Sequence, residues 1–173
     1  DQLAPPPVRA KRTPVVLQEV RNDETLKVWR HQGTNDRLVI SFSGVGTLRH
    51  GVEPNFVKTA TDLARNHVLY IADPRRTWLN GPGLLEEIVA LIEAEVRATG
   101  VRQIATMGHS MGGFCALALP GFTRVDAVLA YSPQVSVDPA IAPGEKRWLL
   151  FRESIQSFVV SSALDRISDQ SEY

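Results

Sequence analysis

Apolar residues run along this chain first in alternating stretches, then in continuous runs separated by helical stripes. Val15–Val20 reads as a strand and Arg21-Asn22-Asp23-Glu24 as a turn. Thr25–His31 is a second strand, with Leu26, Val28 and Arg30 alternating against Lys27, Trp29 and His31. Two strands joined by so tight a turn are antiparallel. His31, near the end of this hairpin, reads as a surface residue. After the turn formers of Gln32–Asp36, Leu38–Phe42 is apolar throughout, as a strand covered on both faces should be. From there strands and helices alternate. Pro54–Arg65 carries a helical stripe of Phe56, Val57, Ala60, Leu63 and Ala64, and Val68–Ala72 is a short buried strand. Leu84–Thr99 places Leu85, Ile88, Val89, Ile92 and Val96 three and four apart, with glutamates outward and Gly100 as a stop. Gln103–Met107 is a strand, Met111–Leu119 a helix, Val125–Tyr131 a strand, Lys146–Ile155 a short helix and Phe158–Ala163 a final strand. The order predicts an α/β fold: a mostly parallel, doubly wound sheet of about seven strands with helices on both faces.

No repeat interrupts this order, so residues 14–173 form one expected domain. Residues 1–13, with Pro5-Pro6-Pro7 and Arg9, Lys11 and Arg12, read as an extended, solvated lead-in. Composition narrows the partners more than the fold. Hydrophobic residues make up 43% and charged residues 22%, as in soluble globular proteins. Lys+Arg and Asp+Glu both number 19, which argues against nucleic acid or an anionic membrane as partner. The single cysteine, Cys115, lies in an apolar run and reads as a small buried hydrophobe. The lack of disulfides favours a cytoplasmic protein, although a chain beginning at Asp1 leaves room for a removed leader. No run reaches the ~20 apolar residues of a membrane span. No His, Cys and carboxylate cluster has metal-ligand spacing, so no metal or cofactor is expected.

The chemistry is concentrated in Gly108-His109-Ser110-Met111-Gly112-Gly113, behind the apolar Ile104–Met107. A serine flanked by small residues, after a strand and before a helix, is the G-x-S-x-G nucleophile elbow. With the antiparallel pair ahead of it and the glycine loop Ser43-Gly44-Val45-Gly46 after the third strand, the chain resembles the α/β-hydrolase superfamily of serine esterases and lipases. The resemblance covers residues 14–173 and implies that Ser110 attacks a carbonyl to form an acyl-serine. It also implies two oxyanion donors. One is the N–H of Met111, at a helix N-terminus. The other comes from the loop after the third strand, where the family usually shows His-Gly and where the Val45 N–H is the candidate. His109 adjoins the serine in sequence and is assigned a packing or hydrogen-bonding role.

The rest of the triad is harder to place. The resemblance makes Asp165, after Phe158–Ala163, the acid, with Asp169 and Asp138 in reserve. A base should follow, yet the four histidines are His31, His50, His67 and His109, and none follows Ser110. Three expectations compete. The chain is C-terminally incomplete, and its parent carries the histidine; or His50, in the loop after the third strand, is the base; or the site is silent and the protein is a binding or interaction module. His67, ahead of the fourth strand, belongs at the opposite edge. Without a strand beyond it, Phe158–Ala163 would be an open edge able to pair with another chain.

Two further segments shape the expected pocket. Asp73–Gly81 follows the fourth strand at the functional edge, and its Arg75, Arg76, Trp78 and Asn80 are candidate substrate contacts through bidentate hydrogen bonds and stacking. The competing reading is a loop cap, with Trp78 packed on the elbow helix and Asp73 paired to an arginine. Ser132–Ser157 stands where the family carries a lid, but is too short for a large one, and Trp148 and Phe151 are assigned to packing. The expected function is hydrolysis of a small-molecule carboxylic ester, thioester or amide through an acyl-serine without a cofactor. Acyl transfer to another alcohol uses the same parts.

Overall fold

The structure, a computed structural model, describes residues 14–46 and 51–173. Six strands form one sheet in the order β1-β2-β4-β3-β5-β6. The strands are β1 (Gln18–Asn22), β2 (Lys27–His31), β3 (Arg37–Phe42), β4 (His67–Ala72), β5 (Gln103–His109) and β6 (Ala127–Tyr131). β2 runs antiparallel to both β1 and β4, while β4, β3, β5 and β6 are mutually parallel. Among the described residues the α-helices are α1 (Val57–Thr61), α2 (Leu84–Thr99), α3 (Met111–Ala118) and α4 (Leu149–Arg152).

Alternation within the central strands divides the core. Leu38, Ile40 and Phe42 of β3 and Leu69 and Ile71 of β4 face α2 and α3, where Ile88, Ile92 and Phe114, with Leu119 just beyond α3, complete the larger cluster. Val39, Val68, Tyr70 and Met107 face the other way, into a smaller cluster covered by Phe56 and Val57 around α1. Both faces of the parallel strands are thus buried, which explains their continuous apolar runs. α2 forms as its periodicity predicts. It ends at Gly100, whose φ of 68° suits a residue without a side chain and whose N–H reaches the Val96 carbonyl. No helix among the described residues is long and apolar enough to cross a membrane.

Three expectations need correction. The helix expected over residues 54–65 is only five residues long. Asp62, Leu63 and Ala64 turn left-handed, and the Arg65 carbonyl is taken by the N–H groups of Thr34 and Asn35, so a tertiary contact ends the helix. His31 is buried rather than exposed, because the stretch ahead of β1 covers it: Nδ1 lies 3.0 Å from the Val16 carbonyl and Nε2 3.4 Å from that of Ala64.

The third correction bears on the site. Phe158–Ala163 forms no strand, so the sheet has six strands and not about seven. Its backbone is satisfied outside any ladder: Val160 N–H donates to Asn80 Oδ1 at 2.7 Å, and Ala163 N–H donates to the Val135 carbonyl at 2.9 Å. The apolar side chains that suggested a strand, Val160 and Ala163, are buried against the larger cluster all the same. The outer strand is instead β6, met by a single parallel bridge between Ala127 and Glu172.

Candidate active site

Ser110 occupies the junction between β5 and α3. Its N–H donates to the Tyr131 carbonyl at 3.0 Å, extending the ladder to β6, and its carbonyl accepts from Phe114 N–H at 3.0 Å, opening the helix. Ending a strand and starting a helix within one residue forces φ 56°, ψ −117°, a conformation costly to a residue with a side chain. The flanking glycines are required by packing. A Cβ on Gly108 would overlap the carbonyl of Gly112, and a Cβ on Gly112 would overlap that of Phe42 at the end of β3. Backbone stands on both sides, so neither contact can be relieved by a side-chain rotation. The turn leaves Ser110 half-exposed at the C-terminal edge of the parallel strands, the edge where open α/β sheets bind ligands.

The loop after β3 faces this turn and is tied down along its length. Ser43 N–H donates to the Ile71 carbonyl at 2.9 Å, Ser43 Oγ to the Glu53 carbonyl at 2.5 Å, and Gly44 N–H to Asn55 Oδ1 at 3.0 Å. Arg76 Nε donates to the Val45 carbonyl at 2.9 Å, which orients the neighbouring peptides. Among the described residues the Val45 N–H has no acceptor. The Met111 N–H is the first amide of α3 and by position has no acceptor within the helix. Both are N–H groups that the resemblance offers for an oxyanion.

The Asp73–Gly81 segment follows the loop-cap reading. Asp73 accepts from Thr77 N–H and Thr77 Oγ1, both at 2.6 Å, and from Arg75 N–H at 2.9 Å. Arg76 is buried, with Nη1 on the Pro74 carbonyl and its guanidinium 4.8 Å from the centre of the Phe151 ring. Trp78 is fully buried, and Asn80 bonds the Trp78 and Val160 carbonyls through Nδ2. Arg76 and Trp78 therefore point inward, and the expectation that they contact substrate is corrected by their burial and internal bonds; Asn80 is as buried and internally bonded, but it also borders the cleft lined by Arg75. Arg75 alone is half-exposed, lining a cleft of about 460 Å³ with Leu79, Leu85 and Ser157, to which Ser110 does not contribute.

Asp165 is not brought to the elbow. It is exposed on a 3₁₀ turn, Leu164–Arg166, that packs at the C-terminal end of α3, where Arg166 adjoins Gly121. Ser110 is at the other end of this eight-residue helix, a length of about 12 Å. Asp138 caps its own turn by accepting from Ala140 N–H at 2.9 Å, and Asp169 is exposed. His109 is exposed beside Ser110, and His67 is buried at the start of β4, at the opposite edge of the sheet. His50 lies outside the described residues. Burial pushes the Cys115 thiol well above its ordinary range, in keeping with an inert core residue. Among the described residues no group of three His, Cys, Asp or Glu side chains could hold a metal ion.

One residue at the site escaped the sequence reading. Gln134, just past β6, is buried and accepts at Oε1 from Trp78 Nε1–H at 3.1 Å and from Ser110 Oγ–H at 3.4 Å. It is the hydrogen-bond partner of the Ser110 hydroxyl among the described residues. The available signal was topological: β6 neighbours the elbow strand, so the residues following it arrive at the same edge.

The sequence matches no protein-family profile. Solved structures do resemble the chain. The capsule O-acetyltransferase of Neisseria meningitidis serogroup A aligns with a TM-score of 0.58 at 18% identity, over 79% of this chain and 58% of that one. A glycosylation-associated protein complex from Streptococcus agalactiae gives 0.62 at 12% identity, over 90% and 35%. An alpha-beta serine hydrolase homologue from Coxiella burnetii gives 0.50 at 14% identity, over 72% and 65%. The chain thus spans less than two thirds of the length of each. Likeness at these identities is a likeness of fold: this is an open, mixed α/β sheet similar to those of a serine hydrolase homologue and an O-acetyltransferase.

Proposed function

We propose that this protein carries out acyl transfer through Ser110, with hydrolysis of a small-molecule carboxylic ester as the reaction. The observation that carries this reading is the backbone of Ser110, held at φ 56°, ψ −117° between β5 and α3. A purely structural turn has no need of a serine there, since glycine would meet the same geometry without strain. In the proposed reaction the Ser110 oxygen bonds to the ester carbonyl carbon as its proton passes to a base. The resulting oxyanion accepts hydrogen bonds from the Met111 and Val45 N–H groups. Collapse breaks the bond to the alcohol, which leaves with the proton from the base, and an acyl-serine remains. Water then releases the acid; an acceptor alcohol in its place would make the protein an O-acyltransferase, the activity named for the Neisseria neighbour. His50, which follows β3 in the sequence, is assigned as base; Asp165 has no role in this reading.

A second reading is favoured by the Gln134 contact. A neutral amide cannot take a proton near pH 7, so the partner seen at Ser110 holds the hydroxyl without activating it. On that reading the protein is a binding or interaction module on a hydrolase-type fold. Intact mass after incubation with a fluorophosphonate separates the two. A stoichiometric adduct that Ser110→Ala abolishes supports acyl transfer, and His50→Ala should then slow labelling at least a hundredfold. Absence of an adduct on the intact protein overturns acyl transfer in favour of the binding module.

A further inference from the structure

The buried amide of Gln134 has an orientation that chemistry can assign. The indole N–H of Trp78 only donates, so the Gln134 atom facing it at 3.1 Å is the oxygen, Oε1. Ser110 Oγ lies 3.4 Å from that same oxygen, and its hydroxyl is therefore the donor. One acceptor serves two donors: the ring buried beneath the site and the hydroxyl at its surface. Gln134 Nε2, by contrast, is buried without a partner among the described residues. Among the described residues only Trp78 and Ser110 hydrogen-bond the amide. An unpaired buried N–H group also carries a penalty that leucine or methionine would avoid, so packing alone does not account for a glutamine at this position.

We propose that Gln134 is a positioning residue: Trp78 fixes its amide, and the amide fixes the rotamer of Ser110 Oγ. This rests on the reading of Ser110 as nucleophile, and it adds a resting state to it. With its proton directed at Gln134, the hydroxyl keeps its place at the apex of the turn. At 3.4 Å the bond is long enough for a stronger acceptor to displace it. During acylation the Ser110 hydroxyl turns its proton from Gln134 to the base, which takes it as the oxygen bonds to the carbonyl carbon, and the amide is left to Trp78 alone.

Two measurements test this, one independent of activity. In ¹⁵N–¹H spectra, with the indole signals assigned through Trp78→Phe, Ser110→Ala should move the Trp78 Nε1–H resonance, because removing one donor strengthens the other's bond to the shared oxygen. Gln134→Leu should move it further, while the Trp29 and Trp148 signals stay in place. In fluorophosphonate labelling, Gln134→Leu should react about tenfold more slowly than the wild type. Gln134→Glu, which keeps both acceptor bonds, should restore the rate and make it rise with pH as the new carboxyl ionises. A Trp78 resonance unmoved by Ser110→Ala overturns the proposal even if Gln134→Leu fails to fold. Where the wild type is labelled, an equal rate for Gln134→Leu overturns it as well. A wild type that is never labelled, with the resonance moving as expected, supports the coupling and overturns only the acyl-transfer reading.

Discussion

Two regions meet at the C-terminal edge of the parallel strands, and they are held in opposite ways. The elbow is shaped by backbone against backbone: Gly108 on Gly112, Gly112 on Phe42, and Ser110 bridging the β6 ladder and the first turn of α3. The segment after β6 contains one four-residue helix and no strand. Side-chain tethers hold it: Asn80 reaches in from the loop after β4 to both polar groups of Val160, and within the segment Arg152 Nε donates to the Val137 carbonyl at 2.9 Å and Ser136 Oγ to the Ser161 carbonyl at 2.6 Å. The difference teaches where rigidity originates. Excluded volume between main chains has no alternative arrangement, whereas a side-chain tether can be lost singly and leave the rest of the fold standing.

The strongest way to break this contrast is at the elbow. Gly112→Ala should destabilise the protein by more than about 4 kcal/mol in denaturant unfolding, because the new methyl meets the main chain of β3. An effect below about 1 kcal/mol would mean that the turn yields and the contrast fails. At the tethered segment, Asn80→Ala should cost about 2 kcal/mol by leaving the buried polar groups of Val160 unpaired. Hydrogen exchange should then speed up at Val160 and Ala163 while β5 and α3 keep their protection; uniform loss of protection would show the two regions to be one cooperative unit.

Smaller changes sharpen the comparison. Ser110→Gly should raise stability by about 1 kcal/mol through relief of the left-handed conformation, while abolishing fluorophosphonate labelling. A fall in stability would show that the serine side chain supports the fold. Least in magnitude is a local titration. The hydrogen bond from Arg147 lowers the Glu145 carboxyl from its ordinary range to about 2. A lowered carboxylate pKa contributes stability above the ordinary pKa, and that contribution disappears as pH falls through the folded value. A carboxyl ¹³C titration should therefore show Glu145 protonating well below the other glutamates, and Arg147→Met should bring it back among them with little change in global unfolding.

Much of the architecture was legible because local sterics and burial write a period into the chain. α2 and the central strands follow from their apolar spacing, and the elbow follows from its glycines, since no other residue fits where two backbones touch. Cys115 was legible as core for the same reason. His31 was not: its covering comes from a stretch of chain 15 residues away, and a polar residue at a hairpin end carries no mark of that. Phe158–Ala163 misled because apolar residues buried by a loop and those buried by a strand look alike in a run of six; what separates them is the partner of each N–H, here Asn80, 80 residues away from Val160.

By itself the sequence determined the order of the elements as far as β6, the burial of the central strands on both faces, and a serine at a turn only glycines permit, because each rests on neighbours in the chain. The tertiary structure alone decided that Arg76 clamps the loop at Val45, that Asp165 stands at the far end of α3, and that Gln134 meets Ser110 from beneath. Those relations join residues 24 to 55 positions apart. Each depends on which strand ends arrive at one edge of the sheet, a matter of topology that no local period records.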